Sequence, residues 1–492
     1  MDAAPPTLRV AIIGGGLSGL TAAFRLGELA DANQMPLETA VFERGMRVGG
    51  ALDTICRDGF VMEAGADSFL SEKPAAAKLA ERLAIDQLLI GTQEQFRKTF
   101  VVHRGRLVEI PEGFSLLAPT YLSPLLRSQL FSAAAKLRIM IEPLIPRRRS
   151  VEDESLGAFV RRRLGRQVLA RVAQPLAGGI YTADPELLSV RATMPRFVEM
   201  ERRHGSVIRG LRAAARARNG EARGTSGARF SLFLSFKGGI RTLVDALVGH
   251  LEGSINYGAE VVALERTAET DASTGAAVGA ASRPWRLQFR DGTSFEADAV
   301  VCAAPAFAAA PLLQSIDGEL AGILSAIRYA SAATVNLAFR AADFPRPPEA
   351  FGFVAPAAEA RRIIAGSFSS LKFAGRAPAG MILARVFLGG ALQSEMMALS
   401  DDEMVAAARD EFASLLGVKA EPALTCVRHW PESMPQYAVG HLTRVDKIER
   451  SAATIPGLAL AGAYLRGVGI PDCIASGERA AETIFSHLSA HR

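Results

Sequence analysis

The chain has 492 residues, more than one hydrophobic core normally serves, so two or three domains are expected. Its 56 Lys and Arg against 51 Asp and Glu leave a small positive excess with no recognised basic motif or interleaved aromatic pattern, which argues against a nucleic-acid partner. Four scattered cysteines, Cys56, Cys302, Cys426 and Cys473, form no CxxC pair and suit a reducing compartment without a metal site, while no run reaches the roughly 18 apolar residues of a membrane span.

The chain opens on Val10 to Ile13, too short and apolar for a helix and therefore read as a buried parallel strand. Gly14, Gly15, Gly16, Leu17, Ser18 and Gly19 follow. Gly14 permits a tight turn, Gly16 lets backbone amides approach a pyrophosphate, and Gly19 lets the next helix pack on the strand, with the phosphate on the helix N-terminus. That helix is expected from Leu17 to Ala30 and a second strand from Thr39 to Phe42. Glu43 ends this strand, about 20 residues past the glycines, where a carboxylate accepts from ribose hydroxyls and repels a 2′-phosphate, so NADP is disfavoured. Next come Arg44, Arg47, Gly49 and Gly50: another glycine pair for close backbone approach, with two arginines available to a diphosphate.

Farther along, a helix is expected from Pro74 to Leu83 and a hairpin from Thr99 to Ile110 around His103, Arg104, Gly105 and Arg106. Phe114 to Ile145 reads as helical and unusually apolar, closing on Pro146 and Arg147 to Arg149, a pattern shared by a monotopic membrane patch and a buried helical domain. Arg212 to Arg229 and Thr267 to Ser282 read as surface loops. Gly238 to Leu251 is expected as a helix, Tyr257 to Val262 as a strand, Trp285 to Phe289 with Ser294 to Ala297 as a hairpin, and Ala299 to Ala303 as a core strand. Strands at Thr334 to Phe339, Phe351 to Val354 and Met381 to Phe387 and a helix at Asp401 to Leu416 point to a substrate domain, after which Leu458 to Leu460 leads into Gly462, Val468, Gly469 and Ile470.

The stretch from Arg44 to Thr54 resembles the signature of the FAD-dependent amine oxidase and protoporphyrinogen oxidase superfamily. Gln174 to Ser189, Met194 to Phe197 with Glu201 to Ser206, Met434 to Tyr437 before Gly440 and His441, and Gly467 to Ile474 are similar in order to blocks of the oxygen-dependent porphyrinogen oxidases of haem synthesis.

This resemblance implies FAD as cofactor and an α/β fold: a Rossmann-like FAD domain of the glutathione-reductase and amine-oxidase type assembled from both termini, a mixed α+β substrate domain, and a mostly helical domain open to membrane contact. The expected bounds are 1–90, 206–310 and 437–492 for the FAD domain, 91–98 and 311–436 for the substrate domain, and 99–205 for the helical one. It further implies a porphyrinogen substrate that loses six electrons and six hydrogens, with hydride passing to the flavin and O2 leaving as hydrogen peroxide. Protoporphyrinogen IX is preferred because the apolar stretch suits a hydrophobic product at a membrane; the alternative is coproporphyrinogen III, favoured by the Gly65 to Leu70 and Gly178 to Asp184 blocks.

By the same matching, Gly65, Ala66, Asp67, Ser68 and Trp430 fall near the flavin, Val261 near the adenine, and Gly462, Val468, Gly469 and Ile470 in the closing half of the site. Arg104 matches an arginine that pairs a propionate, Val354, Phe368 and Phe387 match apolar walls, and Gly178 and Gly179 a backbone approach to the macrocycle. His103, His204, His429 and His441 are assigned no catalytic role. The expected location is cytoplasmic, free or peripheral on the cytoplasmic face of a membrane, with a ferrochelatase as receiver of the product and a homodimer as assembly. The competing readings are a flavin amine oxidase, a carotenoid desaturase, and a flavin-free scaffold, the last opposed by the intact phosphate loop.

Overall fold

The structure, a computed structural model, describes residues 7–115, 117–221, 232–266 and 283–491. Leu8–Ile13 pairs in parallel with Leu37–Glu43 on one side and Ala299–Cys302 on the other, and Ala299–Cys302 pairs in parallel with Leu458–Leu460. Ile255–Tyr257 adds a fifth parallel strand outside Leu37–Glu43. Val10, Ala11 and Ile12 are fully buried, as a strand covered on both faces requires. The helix Leu17–Ala32 packs along the helix Ile470–Ala490, so the two ends of the chain close one domain.

A second sheet of seven strands has the order Leu424–Pro435, Tyr329–Arg340, Met381–Gly389, Ala365–Ser367, Gly352–Val354, Thr99–His103, Arg106–Glu109. Its strands alternate between two different environments. Val335, Leu337, Phe339, Phe353, Val386 and Leu388 face a core closed by the helix Asp401–Leu416. That helix starts on a capping box, Ser400 with Glu403, and its bounds match the sequence expectation. The opposite face is turned toward the nucleotide domain and the helical region, as the hydrogen bond from Thr334 Oγ1 to the Ala64 carbonyl shows.

Several sequence expectations need correction. The hairpin Thr99–His103 with Arg106–Glu109 is not the start of the helical unit, because Thr99–His103 pairs in parallel with Gly352–Val354 and extends the substrate sheet. Phe114 to Ile145 is no continuous helix: Leu122–Arg127 ends at Ser128, and a new helix, Ala133–Met140, begins where Ser132 Oγ accepts from Ala135 N. Leu125, Leu130, Phe131 and Ile139 enter a buried cluster, while Tyr121, Leu126, Leu137, Ile141 and Leu144 stay exposed.

Arg212 to Glu221 is helix rather than loop, the end of Val207–Glu221. The Glu142 carboxylate accepts from the amides of Val207 and Ile208 at its start, and Val207, Ile208 and Leu211 join the helical cluster, so this segment packs there and not in the nucleotide domain. The remainder of Arg212 to Arg229 and all of Thr267 to Ser282 lie outside the described residues. Tyr257 to Val262 is broken at Gly258, whose φ of +66° ends one strand before Val261–Arg266 begins another in an antiparallel sheet with Trp285–Phe289. The basic runs are not free surface either: Arg163 is fully buried on Glu142, Arg162 pairs with Glu154 and Glu201, and Arg148 with Glu154. Among the described residues, no helix is long and apolar enough to cross a membrane.

Candidate active site

Two glycine turns meet at the end of the parallel sheet. Gly14 has a φ of +106°, and a Cβ on Gly19 would overlap the Gly14 carbonyl, so the opening helix can lie against the strand only with glycine there. A Cβ on Gly16 would meet nothing within 4 Å: the space beyond this turn is open. Glu43 Oε2 accepts from Gly15 N at 2.9 Å and Oε1 from Gly45 N at 2.8 Å, which fastens both turns to the strand end and leaves each oxygen a further lone pair. Gly49 N donates to Gly15 O at 2.8 Å, and Gly49 and Gly50 hold φ of +100° and +58°.

Arg47 does not stand free beside this space. Its guanidinium donates to the carbonyls of Gly50 at 2.7 Å, Leu52 at 3.1 Å and Val48 at 3.3 Å, because the turn leaves those oxygens without backbone partners. Arg44 is exposed. From the closing half, Gly469 begins the helix Ile470–Ala490 as Gly16 begins Leu17–Ala32, neither with a side-chain cap; the opening helix keeps free amides, while in the closing one Pro471 has no N–H, Asp472 N and Cys473 N donate to Gly469 O, and Ile470 N is left. Ser18 Oγ donates to Cys473 O at 2.9 Å and ties them together, and Gly462 N donates to Ser476 Oγ at 3.0 Å. Val261 begins its strand at the edge of the same domain.

The segment Glu63 to Ser68 runs between the two sheets. Ala64 N donates to Asp53 O, and the Ala64 carbonyl accepts from both Trp430 Nε1 at 2.8 Å and Thr334 Oγ1 at 2.6 Å. A Cβ on Gly65 would overlap the Ala51 carbonyl and press on Trp430. Asp67 accepts from Lys372 Nζ at 2.9 Å and lies 3.1 Å from the Arg385 guanidinium. Burial alone would raise its carboxyl, but these two cations overcome that and hold it well below the usual range. Burial pushes the neighbouring Glu63 up to about 7 in spite of Arg376 at 3.3 Å. Sequence reasoning missed Lys372, Arg385 and Thr334; the only trace was a lone arginine in the apolar run Met381 to Phe387.

On the face turned toward this segment, strand register aligns Arg428, Thr334, Phe387, Ala365, Val354 and Val101 in one transverse row. Val354 and Phe387 thus stand together, in a cluster that also takes in Val468 from the closing motif. The next row contains Asn336, Arg385 and Ser367, each with a buried polar atom (Oδ1, Nε and Oγ) that has no protein partner. Arg385 also lies over the Phe387 ring, 4.6 Å from its centroid, and donates to the Gly65 carbonyl at 2.6 Å.

Phe368 is a correction. It is 2% exposed on the other side of the sheet, packed against Phe344, Phe353 and Phe412, and belongs to the core. Gly178 lies in the helix Gln174–Tyr181, where a Cβ would stand 3.4 Å from Ile364, and Gly179 faces open space. Arg104 occupies the exposed hairpin tip. Of the histidines, His441 is buried, with Nε2 2.9 Å from Leu465 O and its ring stacked on Tyr437; His429 meets Asp401 and His103 meets Glu359.

A parallel sheet with two uncapped helix starts and paired glycine turns, set against a mixed, mostly antiparallel sheet with a polar and an apolar row, defines a dinucleotide-dependent oxidoreductase. The pattern described as flavin containing amine oxidoreductase matches residues 17–485. Coproporphyrinogen III oxidase of Bacillus subtilis (strain 168) is 32% identical over 483 residues, 97% of this chain and 98% of that one. Protoporphyrinogen oxidase 2 of Arabidopsis thaliana is 27% identical, covering 98% of this chain and 94% of the plant protein. A solved protein from Exiguobacterium sp. 255-15, provisionally assigned as a protoporphyrinogen oxidase, superposes with a TM-score of 0.84 at 28% identity, covering 98% and 100% of the two chains. The chain belongs to the flavin-containing amine oxidoreductases, in the branch of the porphyrinogen oxidases of haem synthesis. Its cofactor is FAD.

Proposed function

We propose that the chain oxidises coproporphyrinogen III to coproporphyrin III, removing six electrons and six hydrogens in three rounds and passing them to three O2, which leave as hydrogen peroxide. The observation that carries this reading is the 32% identity with the Bacillus coproporphyrinogen III oxidase over nearly the whole of both chains, against 27% for the plant protoporphyrinogen oxidase. It reverses the preference for protoporphyrinogen IX, which rested on Phe114 to Ile145 as an apolar helical element; that stretch divides into two short helices around a buried cluster.

The site suits FAD because its glycines leave a cradle: the open space at Gly16 and the turn at Gly49 and Gly50 lie beside two uncapped helix starts. Gly14, Gly16, Leu17, Ser18 and Gly19 hold the diphosphate, Arg44 adds charge, and Arg47 keeps the turn in shape. Glu43 takes the ribose hydroxyls on its remaining lone pairs. Val261 meets the adenine through its backbone, and Gly65 to Ser68, Trp430, Gly462, Val468, Gly469 and Ile470 line the flavin end. Held there, FAD would supply the acceptor for the hydride and the route for its electrons to O2.

The side chains themselves bind, orient and exclude water. Val354 and Phe387 support the macrocycle from their common row, Gly178 and Gly179 let a helix backbone come close to it, and Arg104 pairs a propionate. No nucleophile is required. Tyr121, Leu126, Leu137, Ile141 and Leu144 supply the exposed apolar surface for peripheral contact with the cytoplasmic face of a membrane, which sedimentation with anionic vesicles tests. Oxygen uptake and porphyrin fluorescence with the two porphyrinogens side by side test the substrate: a larger kcat/KM for coproporphyrinogen III is expected, and an equal or larger one for protoporphyrinogen IX overturns the reading.

A further inference from the structure

The tip of the hairpin Thr99–His103 with Arg106–Glu109 carries an uncompensated positive charge. Arg104 holds a φ of +54°, a left-handed conformation that a non-glycine residue keeps only when its surroundings impose it. Glu359 imposes it: Oε1 accepts from Arg104 N at 2.8 Å and Oε2 from Gly105 N at 3.1 Å, with His103 Nδ1 3.6 Å away. That carboxylate pins the backbone of the tip. Among the described residues the Arg104 guanidinium has no carboxylate within ion-pair distance.

Arg171 comes from a neighbouring element. It lies in a π-helical turn, Leu169–Ala173, packed on the strand Thr99–His103, and a π-turn commonly marks a functional position in a helix. Its guanidinium donates to the Leu130 carbonyl and also has no carboxylate partner among the described residues. The charges of Arg104 and Arg171 both act on His103, the charge of Arg104 acts on Arg171, and Glu359 acts on His103 and Arg171. The adjacent Arg361 is held 3.1 Å from Glu411. Glu359, the carboxylate at this tip, already serves two amides.

The place of this pair matters as much as its charge. Val101 lies in the apolar row that contains Val354 and Phe387, with Val108 beyond it at the sheet edge, and His103 and the tip residue Arg104 follow Val101 along the hairpin. From the other side, the π-turn continues into the helix that brings Gly178 against Ile364. Arg104 and Arg171 therefore flank the apolar row on the side of the hairpin tip.

We propose that Arg171 is a second carboxylate anchor, which together with Arg104 clamps two neighbouring carboxylate side chains on one edge of the macrocycle. This rests on the reading of the chain as a porphyrinogen oxidase. Planar guanidiniums suit two carboxylates side by side, and a pair that repels when empty gains more from anions than either cation would alone. A clamp on a neighbouring pair fixes which edge of the ring enters first and leaves the rest to the apolar row.

The test compares the binding of coproporphyrin with that of its uncharged tetramethyl ester, by fluorescence, in the FAD-loaded enzyme. The parent should bind the acid more tightly than the ester, and Arg171→Gln should weaken the acid about tenfold while leaving the ester unchanged, with partial rescue in Arg171→Lys. Arg104→Ala combined with Arg171→Gln should remove the preference for the acid. Flavin absorbance and melting temperature report folding, and if Arg171→Gln does not fold, Arg171→Lys and the salt dependence of acid binding by the parent replace it. Equal losses for acid and ester would make Arg171 structural, and an unchanged acid affinity would remove it from the site. A parent that binds neither porphyrin nor oxidises either porphyrinogen would overturn the functional reading instead.

Discussion

The α-carbon of Gly477 in the closing helix rests on the carbonyl oxygen of Ser18 in the opening helix; a Cβ built there would overlap that oxygen and stand 3.2 Å from Ala22 N. One turn before Gly477, the Cys473 carbonyl accepts from Ser18 Oγ. The Ser18–Cys473 bond joins residues 455 positions apart, and the two contacts set the distance between the helix starts that flank the glycine turns.

Gly477→Val should therefore lower stability and FAD retention together. Neither backbone can give way without separating the helices, and overpacking of this kind costs about 1–3 kcal/mol or more. Thermal melts with and without added FAD check it; an unchanged melting temperature would show that the helices tolerate separation.

Gly16→Val should separate the two effects. Its Cβ enters open space, so the FAD-free protein should melt within a degree or two of the parent while FAD binding weakens by more than about tenfold, as the diphosphate loses its approach to the amides. Flavin absorbance after gel filtration checks retention, and a yellow, fully loaded variant would place the diphosphate elsewhere.

Phe368→Ala and Phe387→Ala should separate core from site. Phe368 lies among Phe344, Phe353 and Phe412, and its loss should cost about 3–5 kcal/mol of stability. Phe387, half-buried under the Arg385 guanidinium, should instead raise KM for the porphyrinogen with a smaller loss of stability. Denaturant titrations and steady-state kinetics on both variants decide it, the reverse pattern restoring Phe368 to the site.

Glu63 and His441 should give opposing pH effects on stability. Burial raises the Glu63 carboxyl from its ordinary 4.5 to about 7, so its contribution is complete below 4.5 and is lost as pH rises through about 7. Burial lowers His441 from 6.5 to about 4, so its contribution is present above 6.5 and lost as pH falls through about 4. Each effect is on the order of 3 kcal/mol. In urea titrations, the stability of Glu63→Gln relative to the parent should grow between pH 4.5 and 7; a constant difference would show that Glu63 stays ionised throughout.

The nucleotide half of the site was legible because it is local: Gly14 to Gly19 follow their strand directly, Glu43 sits at the end of the next, and Gly462 to Ile470 repeat the strand-to-helix turn. Strand bounds such as Trp285–Phe289 and the helix Asp401–Leu416 were equally clear, since alternation and capping are written in neighbouring residues. The Phe114 to Ile145 stretch misled because apolar composition alone does not mark where a chain turns. Phe368 misled because a phenylalanine reads the same on either face of a sheet.

By itself, then, the sequence determined the turns and the helix starts of a dinucleotide site, which depend on backbone shape over short spans, and its family resemblance pointed to FAD. Only the tertiary structure decided which side chains share the other wall. Cross-strand register set Thr334, Phe387, Ala365 and Val354 in one row and Asn336, Arg385 and Ser367 in the next, and it put Arg385 on Asp67 and Phe387, a pairing of strands that no local pattern encodes.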